Sequence, residues 1–111
     1  MGTDRPRERD APTYDLADVR DAFERSSFRV TLRVQRHLWA KGWDLGTIRS
    51  CIAALQPGAF HKSQECAGNP DVWLDIYRPQ WAGERWYVKF VREDDGGGYR
   101  VLSFCRDSER H

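Results

Sequence analysis

The stretch AFHKSQECAGNPDVWLDIYRPQWAGERWYVKF, residues 59–90, decides the fold. Ala59 to Ser63, Val72 to Arg78 and Arg85 to Arg92 read as short strands; Val72 to Arg78 is rich in β-branched and aromatic residues and ends at Pro79, and Arg85 to Arg92 alternates. Gln64 to Pro70, with Gly68-Asn69-Pro70, reads as a loop, and Pro79 to Gly83 as a turn. Period-two alternation sorts the side chains. From Glu84 on, Trp86, Val88 and Phe90 share one face, and Arg85, Tyr87 and Lys89 the other. Val72, Leu74 and Ile76 oppose Trp73, Asp75 and Tyr77 in the same way. Downstream, EDDGGG at 93–98 is a hairpin loop and Tyr99 to Cys105 a last strand, with Leu102 and Phe104 opposite Val101, Ser103 and Cys105.

The chain before this stretch changes period. Asp15 is a suitable N-cap, and Leu16, Val19, Ala22 and Phe23 define one face of a helix ending near Arg25. Phe28 to Gly42 allows two readings, since FRVTLRVQ alternates like a strand while Leu32, Gln35, Leu38 and Trp39 follow a helical period. Length favours a helix, with Thr31 as cap and Gly42 as stop, and that helix aligns Arg29, Arg33 and Arg36 in one basic stripe. Asp44 opens a third helix marked by Leu45, Ile48, Ile52 and Leu55, and Gln56-Pro57-Gly58 ends it. Helices first and adjacent strands after predict an α+β fold, with N-terminal helices packed on a C-terminal antiparallel sheet. The expected organisation is a flexible tail over residues 1–12 and one domain over 13–107, helical from 15 to 58 and sheet from 59 to 107.

Composition limits the chemistry. Eighteen basic and 17 acidic side chains nearly cancel, so any anion-binding surface must arise from local segregation of charge. Three irregularly spaced cysteines argue against a disulfide framework and a zinc site. His37, His61 and His111 are scattered, so no metal and no cofactor is expected. The N-terminal residues lack the apolar core of a signal peptide, and no apolar run is long enough to cross a membrane. A cytoplasmic protein is the expectation. Lys, Arg, Tyr and His can together cleave RNA without a metal: the 2′-hydroxyl is the nucleophile, a base takes its proton, cations hold the charge, and an acid protonates the leaving oxygen. A solvated or protein-binding sheet face would show the same residue types.

Phe60-x-Lys62-Ser63, Trp73-x-Asp75-x-Tyr77-Arg78-Pro79, Tyr87-x-Lys89 and Ser103-Phe104, in this order and, apart from a longer final hairpin loop, at these spacings, resemble the MqsR family of bacterial toxins. The resemblance implies a RelE-like fold and a metal-independent endoribonuclease that cuts mRNA and is neutralised by a cognate antitoxin. By position it places the catalytic lysine at Lys62 and the catalytic tyrosine at Tyr87. From residue chemistry, His61, Arg78, Arg85 and Lys89, with Arg29, Arg33 and Arg36, are candidate RNA- or phosphate-binding groups. Two positions depart from the family: Leu74 stands where the family has Gln, and Cys105 where it has Lys. Both remove a polar group from the expected site. The alternative is therefore a non-catalytic RNA- or protein-binding module on the same fold.

Overall fold

The computed structural model describes residues 6–94, 96 and 98–110. Among the described residues, three helices form where their caps predict. In α1 (Leu16–Glu24), the Asp15 carboxylate accepts from the Asp18 amide at 3.1 Å. In α2 (Leu32–Lys41), Thr31 Oγ1 accepts from the Val34 amide at 3.2 Å. Gly42, left-handed at φ 71°, ends that helix by turning its own amide to the Trp39 carbonyl and the Trp43 amide to the Leu38 carbonyl. In α3 (Leu45–Ala53), the Asp44 carboxylate caps the Thr47 amide at 3.2 Å. Pro57 cannot continue that helix, and a 3₁₀ turn at Pro57–Ala59 leads into the sheet.

Among the described residues, seven strands follow the order β1-β3-β4-β6-β7-β2, with β5 paired to β6: β1 is Glu8–Arg9, β2 Phe28–Val30, β3 Phe60–Cys66, β4 Asn69–Tyr77, β5 Gln80–Trp81, β6 Glu84–Arg92 and β7 Tyr99–Arg106. The fold is α+β, with a sheet that is antiparallel except at one edge. There β2 runs parallel to β7, with Phe28 opposite Tyr99 and Val30 opposite Val101.

Both readings of Phe28 to Gly42 therefore hold in part. The alternating residues form the edge strand, the helix starts only at Leu32, and Arg29 lies on the strand. The proposed stripe is broken there, and Arg29 instead pairs with Glu93 at 3.1 Å. Two other expectations need correction. Gln64 to Cys66 extends β3 rather than forming a loop, because it pairs with Asn69, Trp73 and Leu74 across the hairpin. Part of the expected tail is also ordered: Glu8 and Arg9 pair with Gln64 and Ser63, and Arg7 donates to both Glu65 oxygens. Residues 1–5 and His111 lie outside the described residues.

The core fills the space between the helices and one sheet face. Val19, Phe23, Leu38, Ile48 and Ile52 meet Tyr77, Trp86, Val88, Phe90, Tyr99 and Val101. The Tyr77 ring stacks on Phe90, with centroids 5.8 Å apart, and Trp86 stacks on Phe104 at 5.0 Å. Asp75 and Tyr77 belong to this face. Asp75 is fully buried and accepts the amides of Thr13 and Tyr14, each at 3.0 Å. That bonding satisfies a carboxylate that would otherwise be costly to bury, and it fastens the segment entering α1 to the sheet. In β7 the register slips: Lys89 faces Ser103, but Phe90 faces Val101. Leu102 is the extra residue of this bulge, so Val101 and Phe104 both reach the core, contrary to simple alternation.

Candidate functional site

The opposite sheet face carries the candidate chemistry. Register aligns one residue from each of four strands into the row Lys62–Ile76–Lys89–Ser103. One step along β6, Tyr87 faces Cys105. Alternation puts these side chains opposite the core because Phe60, Ser63, Asp75, Val88 and Phe90 point inward. Ile76 is fully covered between the two lysines, and Leu74 and Val91 continue the apolar patch beyond it. The centre of the face is thus apolar, with cations at its margins. Leu74, where a polar group was expected, is part of that patch and 6% exposed.

A second bulge, between Phe60 and Lys62, inserts His61 into β3. Burial pushes the imidazole below its ordinary pKa, and the charges of Arg78, Lys62 and Arg110 lower it further, while Glu8 opposes them. The neutral form of His61 is thus favoured by the cations around it. Lys89 is also held below the ordinary lysine value, first by burial and then by Arg33 and Lys62. Lys62 has a partner: its Nζ lies 2.6 Å from Glu8 Oε2.

Tyr87 is 9% exposed, and the Arg110 guanidinium lies over its ring, 4.6 Å from the centroid. Arg110 follows the 3₁₀ turn Asp107–Glu109, so the chain's last described residue returns to the sheet face beside Cys105. Burial raises the Cys105 thiol pKa, the neighbouring Glu109 and Asp107 raise it further, and Arg110 and Arg33 oppose them. Arg106 takes the other side, 5.3 Å over the Trp43 ring and 3.1 Å from Glu84.

Not every sequence candidate gathers here. His61, Lys62, Tyr87 and Lys89 do, and Arg33 reaches them electrostatically through Lys89. Arg36 stands across the cleft between α2 and β7. Arg78 is at the rim, bound in a two-pronged pair to Asp107 at 3.2 and 2.7 Å. That pair holds Asp107 below the usual carboxylate range. Arg85 is exposed on the β5–β6 hairpin and lines a separate recess with Gln56, Gly58 and Arg78. Arg29 is committed to Glu93 at one end of the sheet, which Arg100 also approaches at 3.4 Å. Two members of the site had no signal in the sequence. Glu8 and Arg110 lie in charged terminal segments without periodicity, and only tertiary pairing brings them to Lys62 and Tyr87.

Among the described residues, no group of three or more His, Cys, Asp or Glu could hold a metal ion. None of the helices is long and apolar enough to cross a membrane.

Fold and face together define a small α+β protein whose open sheet face has an apolar centre with cations and the buried Tyr87 at its margins. The sequence pattern of the family described as motility quorum-sensing regulator, toxin of MqsA, matches residues 11–106, and the chain belongs to this MqsR toxin family. No individual curated protein matches the chain.

Proposed function

We propose that the protein is the toxin of a toxin–antitoxin pair and acts as an endoribonuclease on mRNA in the cytoplasm, in a RelE-like fold, until a cognate antitoxin neutralises it. The observation that carries this reading is the convergence of Lys62, Lys89, His61 and Tyr87 on one sheet face. These groups match the roles that 2′-hydroxyl attack requires. Neutral His61 takes the 2′-hydroxyl proton as the 2′-oxygen bonds to the adjacent phosphorus. Lys62 and Lys89 hold the charge that develops on the phosphoryl oxygens. Tyr87 gives its phenolic proton to the departing 5′-oxygen as the P–O5′ bond breaks. The products are a 2′,3′-cyclic phosphate and a free 5′-hydroxyl. All protons are accounted for, and no step calls for a metal. Arg110, over the Tyr87 ring, supplies positive charge beside Cys105, where the family has a lysine.

Induced expression in a bacterial host lacking the antitoxin tests the reading, with Lys62→Ala and Tyr87→Phe as comparisons. Growth arrest with fragmented mRNA, abolished by both substitutions, is the expected result. Normal growth with wild-type protein, together with RNA binding but no cutting by the purified chain, would overturn it. That outcome is the one a binding module predicts, and the closed apolar centre at Leu74 and Ile76 favours this second reading.

A further inference from the structure

A cleft of about 640 Å³ lies between α2 and β7. Its near wall is Ser103 and Cys105, the cross-strand neighbours of Lys89 and Tyr87. Arg33, Arg36 and His37 on α2 form the far wall, and Arg110 stands at the mouth, over Tyr87. The cleft therefore opens where the catalytic row ends.

Its charge is uneven. Lys41 is committed to Glu109, which closes one end. Arg33 and Arg36 are exposed on consecutive turns of the helix and have no carboxylate within ion-pair distance among the described residues. Guanidinium groups on a solvent-facing wall suit phosphate oxygens, which accept two parallel hydrogen bonds from each. The floor is Leu102, a half-buried apolar side chain against which a ribose or base can rest, with the core residues Val34 and Phe104 beneath it.

Distance decides what size of ligand uses it. Lys62 and Ser103 are three strand spacings apart, or about 14 Å at ~4.8 Å per spacing. The cleft lies beyond Ser103. A single phosphodiester cannot touch Lys62 and Arg36 together, but a single-stranded oligonucleotide can. We infer that the α2–β7 cleft is a binding track for the backbone phosphates of single-stranded RNA on one side of the cleaved bond. This rests on the nuclease reading for its orientation, but the track itself is a binding surface and can be tested without catalysis.

The experiment measures binding of 2′-O-methyl oligonucleotides, which cannot be cut, to the full chain and to an Arg33→Gln, Arg36→Gln variant. Both substitutions are on an exposed helix surface. In the wild type an octanucleotide binds more tightly than a dinucleotide. In the variant the ratio of the two affinities falls about tenfold, and the salt dependence of octanucleotide binding weakens by about 1.4 in log–log slope, as loss of two phosphate contacts on a single strand predicts. An unchanged ratio overturns the track, as does equal competition by polyglutamate at the same ionic strength. Failure of the nuclease reading looks different: the uncut oligonucleotide still binds through Arg33 and Arg36, but the corresponding ribose strand is not cleaved.

Discussion

Glu8 Oε2 sits 2.6 Å from Lys62 Nζ, so the lysine assigned to phosphate is held by a carboxylate from the N-terminal arm. The arm is fixed on both sides of this contact: Arg7 binds Glu65, and the Arg9 guanidinium lies 3.9 Å from the centre of the Trp73 ring. Glu8 occupies the place of an anion and competes with RNA for the same ammonium. Glu8→Gln is expected to raise the initial rate of RNA cleavage about two- to fivefold, the range a partly exposed ion pair contributes. Raising salt should shrink the difference, because it screens the pair in the wild type. A rate lowered by the substitution would mean that Glu8 positions Lys62 instead of opposing substrate.

The pH dependence follows from His61. Its cation is disfavoured by burial and by Arg78, Lys62 and Arg110. The neutral, proton-accepting form therefore persists to lower pH than for an ordinary imidazole, whose pKa is about 6.5. Cleavage should rise with pH along an acid limb centred below that value and then level. His61→Gln should remove the limb along with about a hundredfold of the rate. A limb unaffected by the substitution would assign the base elsewhere.

Cys105 offers a gain of function. It faces Tyr87 across the β6–β7 pair and is partly exposed. Cys105→Lys adds an ammonium to that corner and should raise the cleavage rate about tenfold, a conservative value for one added charge at a reacting phosphate. An unchanged rate would show that Arg110 already supplies what the strand lacks.

Asp75 is a structural residue. With its carboxylate gone, the Thr13 and Tyr14 amides lose their acceptor. Asp75→Ala should lower unfolding free energy by about 3 kcal/mol in urea titration. Cleavage well below the melting temperature should persist, and loss of activity in the folded variant would return Asp75 to the site.

Gly98 explains the glycine-rich hairpin. Its φ is 88°, and a Cβ there would meet the Ser27 carbonyl oxygen at 1.8 Å. That carbonyl accepts the Tyr99 amide at 3.2 Å and starts the β2–β7 pairing. Gly98→Ala combines a left-handed penalty of about 1–2 kcal/mol with displacement of β2. Differential scanning calorimetry should show a fall in Tm of about 10 °C or more for a domain of this size.

Much of the architecture was legible because its signals are local. Asp15, Thr31, Asp44 and Gly42 mark helix ends through their own side chain or φ, and β6 shows its two faces over nine residues. What escaped depends on partners. The three residues of β2 merge into the periodicity of α2, and only β7 makes them a strand. The two residues of β1 carry no pattern. Bulges at His61 and Leu102 are set by strands opposite them, so alternation alone put Val101 and Phe104 on opposite faces. The site divides in the same way. Lys62, Tyr87 and Lys89 follow from motif and strand period, whereas Glu8 and Arg110 arrive from distant ends of the chain.

The position of β7 also governs when the open sheet face can be completed. This strand lies between β6 and β2, carries Tyr99, Val101 and Phe104 into the core, and contributes Ser103 and Cys105 to the site. During synthesis, the helices and the β3–β4–β6 strands leave the ribosome before it. Until residues near 106 emerge, the sheet cannot bring its first edge strand to its last, and contacts between such distant segments form late in folding. A half-made chain therefore carries Lys62 and Tyr87 without a closed core to hold them. The face that sets Lys89 opposite Ser103 and Tyr87 opposite Cys105 is therefore completed only after β7 has been made.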